Sequence, residues 1–138
     1  MIAVDTNVLV DVLEGDANGS RQALAALDDA AKGGALVVSP AVFAELCAHP
    51  GLSPPEVERY LKALHIAIDW QSDATVWRNA GSAFGAYARR RRRARSGTPR
   101  RLLADFLIGA HAASSGGLLT RDSAFFSRAF PGLHILAV

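Results

Sequence analysis

Residues 2–13 read IAVDTNVLVDVL, and the fold follows from this stretch. Ile2–Val4 is a short apolar run, the pattern of a buried strand, and Asp5-Thr6-Asn7 is an abrupt polar stop at its end. Val8, Leu9, Val12 and Leu13 follow at i, i+1, i+4 and i+5, one face of a short helix. A strand that stops on an acid and turns into a helix fits a parallel α/β sheet. In such sheets ligands bind beyond the C-terminal strand ends.

The rest of the chain repeats the alternation. Further strands are expected at Ala35–Val38, Ile66–Trp70, Leu118–Thr120 and His134–Val138. Ser20 is placed to cap a helix over Arg21–Lys32, with Leu24, Leu27 and Ala31 on one face. Ser39-Pro40 opens a helix to about Ala48, and the capping box Ser53–Glu56 opens another to about His65. Ser72 is placed to cap a long helix over 73–93, with the stripe Val76, Trp77, Ala80, Phe84 and Tyr87. Ser96–Pro99 reads as a loop. Leu102–Ser114 reads as a helix presenting Leu103, Leu107, Ala110 and Ser114, and Ser123–Phe130 as a short one. The expectation is one α/β domain over residues 1–138, its sheet mainly parallel, with helices on both faces.

Half of the 138 residues are hydrophobic and a fifth are charged, which excludes disorder as the main state. Cys47 is the single cysteine, so no intrachain disulfide forms; that fits a reducing cytoplasm. The N-terminus lacks a basic segment before its apolar run, and no apolar run is long enough for a membrane span, so no signal peptide or membrane partner is expected. Net charge is only +2, yet eight arginines fall at 89–93, 95, 100 and 101, and all 13 acids lie outside that window. An acidic body with one basic strip suits a phosphate backbone or an acidic protein segment. It does not suit a histone-like binder or a membrane-surface helix.

Four acids belong near the ligand-binding edge of such a sheet. Asp5 follows the first strand and Asp122 the fourth, while Glu45 and Asp105 interrupt apolar helices. An acid in an apolar run is costly unless it is paired or binds a cation. No lysine or histidine stands at a strand end, and Arg121 is a partner for one acid only. Carboxylates gathered in one cleft raise each other's pKa unless divalent cations fill the site. Oxygen donors without a His/Cys cluster favour Mg²⁺ or Mn²⁺ over zinc, and such a site suits phosphodiester hydrolysis.

Four pieces, DTNVLVD (Asp5–Asp11), AEL (Ala44–Leu46), ADFLIGAHA (Ala104–Ala112) and LLTRD (Leu118–Asp122), together resemble the PIN-domain ribonucleases, in particular the VapC-type toxins. The resemblance spans the chain and keeps the family's order and spacing. It implies a five-stranded sheet in the order 3-2-1-4-5 and Mg²⁺-dependent endoribonuclease activity. It also implies a homodimer and inhibition by a cognate, VapB-like antitoxin. By the same resemblance Asp5, Glu45, Asp105 and Asp122 are the catalytic, metal-binding acids, and Thr6, Asn7 and Thr120 are the polar residues around them. The arginine block is denser than the family leads one to expect. The alternative is a PIN-like module that binds RNA or protein without cutting; the complete acidic set argues against it. A receiver-like signalling domain is excluded, because Asp5 has no second acid beside it and neither lysine is suitably placed.

Asp11 reads as a local cap or partner, and His111, about 240° round the helix from Asp105, as facing elsewhere. His49 reads as a favourable charge at a helix C-terminus and Cys47 as a small buried residue. The Trp77-Phe84-Tyr87 stripe reads as core or dimer interface. Arg90, Arg91, Arg92 and Arg93 are expected to contact RNA or antitoxin, since they lead into the Asp105 helix.

Overall fold

Short apolar strands alternate with helices along the whole chain. The computed structural model describes residues 1–95 and 100–138; the loop expected at Ser96–Pro99 lies outside the described residues. The order is β1 (Ile2–Val4), α1 (Thr6–Glu14), α2 (Ala17–Gly33), β2 (Leu36–Val38), α3 (Pro40–Cys47), α4 (Pro54–Ala63), β3 (Ala67–Ile68), α5 (Ala74–Ala94), α6 (Leu103–Ala113), β4 (Leu118–Thr120), α7 (Ser123–Ala129) and β5 (Ile135–Ala137). The strands form one sheet in the order β3-β2-β1-β4-β5, and every pairing is parallel. The chain walks outward from β1 to β3, then crosses back to β4 and β5. With right-handed crossovers this reversal puts helices on both faces. β1, β2 and β4 are buried along their whole length, as a sheet covered on both sides requires.

Several local expectations shift. The cap of α2 is Asp16, whose carboxylate accepts the Gly19 N–H at 2.7 Å. The Ser20 hydroxyl donates instead to the Val12 carbonyl at 3.2 Å. The buried face of α2 is Ala23, Leu27 and Ala30; Leu24 and Ala31 are exposed. Asp73, not Ser72, caps α5, accepting the N–H groups of Thr75 and Val76. An acid beside a serine offers two caps one residue apart, and packing of the helix decides between them. The Ser39 and Ser53–Glu56 caps are as expected.

Helix α6 differs most. It is wedged between α3, α5, α7 and the strands β1 and β4. Phe106 and Ile108–Ala112 are buried, whereas Leu103 is exposed. A helix packed from several sides is apolar nearly all round, so a one-sided stripe does not describe it. Phe106 stacks on Phe84 of α5 (centroids 4.6 Å apart) and meets Phe125 of α7 edge-on at 5.5 Å. Phe84 and Tyr87 therefore belong to the packing around α6, while Trp77 of the same predicted stripe is exposed.

Candidate active site

The register of β1 against β4 builds the centre of the site. Val4 lies opposite Leu119, and the Asp5 N–H donates to the Leu119 carbonyl at 3.0 Å, so Asp5 arrives beside Thr120. The Thr120 hydroxyl donates to Asp5 Oδ2 at 2.7 Å. It accepts the Asp122 N–H at 2.9 Å and the Asn7 side-chain amide at 3.4 Å. One donor and two acceptor positions are thereby all used. Asn7 Oδ1 in turn accepts the Arg121 N–H at 3.2 Å. Thr6 donates its hydroxyl to Glu45 Oε1 at 2.7 Å, tying α1 to α3. Asp105, in the first turn of α6, accepts the Leu102 N–H at 3.1 Å and so caps its own helix.

Asp5 is buried, and burial is the main reason its carboxyl is pushed up to about 6. Hydrogen bonds from Thr120 and the Thr6 N–H partly oppose the shift, and the charges of Glu45 and Asp105 add to it. Two of the other three predicted acids thus act on Asp5. Mutual repulsion contributes, but desolvation comes first.

Asp122 has an ion-pair partner of its own. Arg101 Nη1 donates to Asp122 Oδ2 at 2.6 Å. Arg121, expected to partner one acid of the site, instead bonds Asp11 of α1 through Nε. The Asp11 partner is therefore distant in sequence, not local. His111 is buried and faces Asp69 at 3.0 Å, away from Asp105, as its position on the helix predicted. His49 bonds Glu14 at 2.8 Å, which raises its pKa. Cys47 is half-buried.

Among the described residues no three Asp, Glu, His or Cys side chains form a ready-made metal cage. Oxygen donors of this kind suit a hard divalent cation such as Mg²⁺. That ion takes one or two carboxylates, keeps several waters and uses substrate phosphates for the rest. A buried carboxyl pushed up to about 6 is one whose charge a neighbouring cation would favour.

Beside Asp105 and Asp122 lies a groove of about 830 Å³ lined by Arg90, Arg91, Arg100, Arg101 and Arg128. Arg92 faces a smaller adjoining cavity, and Arg93 lines neither. The sequence placed Arg90, Arg91, Arg100 and Arg101 in the basic strip but singled out only the first two of these as contacts, and Arg128 lay outside that strip. No local pattern marks Arg101, because its partner is 21 residues away on another element.

The PIN domain family matches residues 2–131 of this sequence. The chain belongs to the PIN-domain family. No curated protein matches it by sequence. The PIN fold is shared with solved structures at low identity. VapBC2 from Rickettsia felis, bound to a DNA fragment from its promoter, superposes with a TM-score of 0.68 at 19% identity, covering 99% of this chain and 98% of that one. FitAcB from Neisseria gonorrhoeae gives 0.64 at 23% identity, covering 99% and 96%. VapBC-1 from nontypeable Haemophilus influenzae gives 0.64 at 18%, covering 99% and 98%.

Proposed function

We propose that this PIN domain is a Mg²⁺-dependent endoribonuclease, with Mn²⁺ as a substitute, acting as the toxin of a toxin–antitoxin pair. The observation that carries the reading is Asp5: a buried carboxyl at a strand end, pushed up to about 6, with Glu45 and Asp105 close enough to raise it further. A fold maintains such a group at a cost in stability, and that is the usual mark of a functional site.

The chain's own residues prepare the site. Thr120 and the Thr6 N–H fix the rotation of the Asp5 carboxyl, and the Thr6 hydroxyl fixes Glu45. The Leu102 N–H fixes Asp105. The oxygens are therefore oriented before substrate arrives, so little reorganisation is left for the reaction itself. Mg²⁺ bound by these acids would lower the pKa of an attacking water and stabilise charge on the phosphate. The arginine-lined groove beside Asp105 and Asp122 would draw in the polyanion. The motif resemblance to VapC-type toxins, and the likeness of the fold to VapBC2 and VapBC-1, support an antitoxin of VapB type as partner. A cytoplasmic homodimer belongs to the same reading.

Asp5→Asn and Asp105→Asn should abolish Mg²⁺-dependent cleavage of RNA and growth arrest on expression, with circular dichroism unchanged. Cleavage at the wild-type rate by folded Asp5→Asn would overturn the assignment. Tight RNA binding by the wild type with no cleavage in Mg²⁺ or Mn²⁺ would favour a non-cutting module.

A further inference from the structure

Arg101 is held at three points. Its backbone N–H donates to Tyr87 Oη at 2.8 Å, its guanidinium carbon sits 4.0 Å from the centre of the Phe125 ring, and Nη1 bonds Asp122 at 2.6 Å. The side chains of Arg101 and Asp122 are 36% and 32% exposed, so water reaches their ion pair and weakens it. A guanidinium has five N–H donors in a planar fork that matches phosphate oxygens, and its bond to Asp122 runs through Nη1. The groove that Arg101 lines has five arginines facing two acids, a surplus of positive charge, and the half-buried rings of Tyr87 and Phe125 form part of its wall.

We propose that Arg101 is a shared counter-ion, holding Asp122 in the free protein and turning to a phosphodiester of single-stranded RNA when one enters the groove. The inference rests on the nuclease reading and adds to it a residue that couples substrate entry to the acidic set. The Tyr87 hydrogen bond to the Arg101 N–H holds the backbone and the guanidinium stays against the Phe125 ring while its N–H groups change partner, so the exchange needs no movement of the backbone. Asp122, released, then lies free beside Asp105 at the edge of the same groove. Single-stranded RNA is favoured over an acidic peptide for two reasons. The charge surplus tracks a repeating anion. The half-buried rings of Tyr87 and Phe125 in the groove wall suit unstacked bases.

The test is a binding cycle without metal, using a fluorescein-labelled single-stranded RNA of mixed sequence in EDTA. Arg101→Gln should bind about tenfold more weakly. Its log–log salt slope should flatten by about 0.7. Asp122→Asn should bind severalfold more tightly, because the phosphate no longer competes with a carboxylate for the guanidinium. That gain should vanish in the double variant Arg101→Gln/Asp122→Asn. Arg101→Met, which keeps an apolar chain beside Phe125, repeats the cycle should Arg101→Gln fail to fold. A gain from Asp122→Asn that persists without Arg101 would overturn the inference, since the acid would then act only by general repulsion. Stronger displacement of the label by poly-glutamate than by unlabelled RNA would also overturn it, making the groove a protein site. No binding by the wild type at low salt would overturn it as well. Metal-dependent cleavage of the same RNA, measured separately, decides the nuclease reading whatever the cycle returns.

Discussion

Asp5 is a carboxyl whose charged form the fold disfavours. Its folded pKa is about 6 against 3.8 for the ordinary group, chiefly through burial. Between those values the folded protein binds more protons than the unfolded chain, so stability falls as pH rises from about 4 through about 6 and then levels off. The shift of roughly two units corresponds to at most about 3 kcal/mol. Asp5→Asn should therefore raise stability at pH 7.5 by up to that amount and flatten the pH dependence, while removing activity. Urea melts at pH 4.5 and 7.5 on both proteins check this; an equal slope in the two would detach the pH dependence from Asp5. Asp5 was legible in the sequence because a strand-end acid is a local pattern. The Arg101–Asp122 and Arg121–Asp11 pairs were not, because each joins elements whose approach depends on helix packing.

Among the elements, α6 carries most of the consequence. Gly109 faces the Phe130 ring so closely that an added Cβ would lie 2.2 Å from it. Phe130 is itself buried, so the ring has little room to retreat. Gly109→Ala should destabilise the protein by about 1–3 kcal/mol despite alanine's better helix propensity, read as a lower urea midpoint at constant m-value. Helix starts offer a second check. Asp73→Ala should cost about 1 kcal/mol and Ser72→Ala close to none, because only the Asp73 carboxylate meets the free N–H groups of α5. The sequence placed every strand and every helix described, with ends shifted by a few residues, since apolar runs and punctuation are local signals. It misjudged the buried faces of α2 and α6, because which side of a helix is covered depends on neighbours far along the chain.

At the scale of the molecule, the sheet order gathers residues 5, 45 and 105 from three separate elements, β1's end, α3 and α6. In the unfolded chain these acids are 40 and 60 residues apart and form no site. A cation that they bind therefore binds the native state alone and stabilises it by RT ln(1 + [L]/Kd), about 1.4 kcal/mol at tenfold excess over Kd. Protons compete for the same oxygens, and Asp5 is half-protonated near pH 6. The Mg²⁺-induced rise in Tm should thus be larger at pH 7.5 than at pH 5.5. Asp5→Asn should lose most of it, since the variant removes the charge that would hold the ion. Asp122→Asn should keep much of it in the absence of RNA, because Arg101 occupies that carboxylate in the free protein. Equal shifts in wild type and Asp5→Asn would mean that the ion binds elsewhere, and full loss in Asp122→Asn would place that carboxylate among the ligands of the free protein, against its pairing with Arg101.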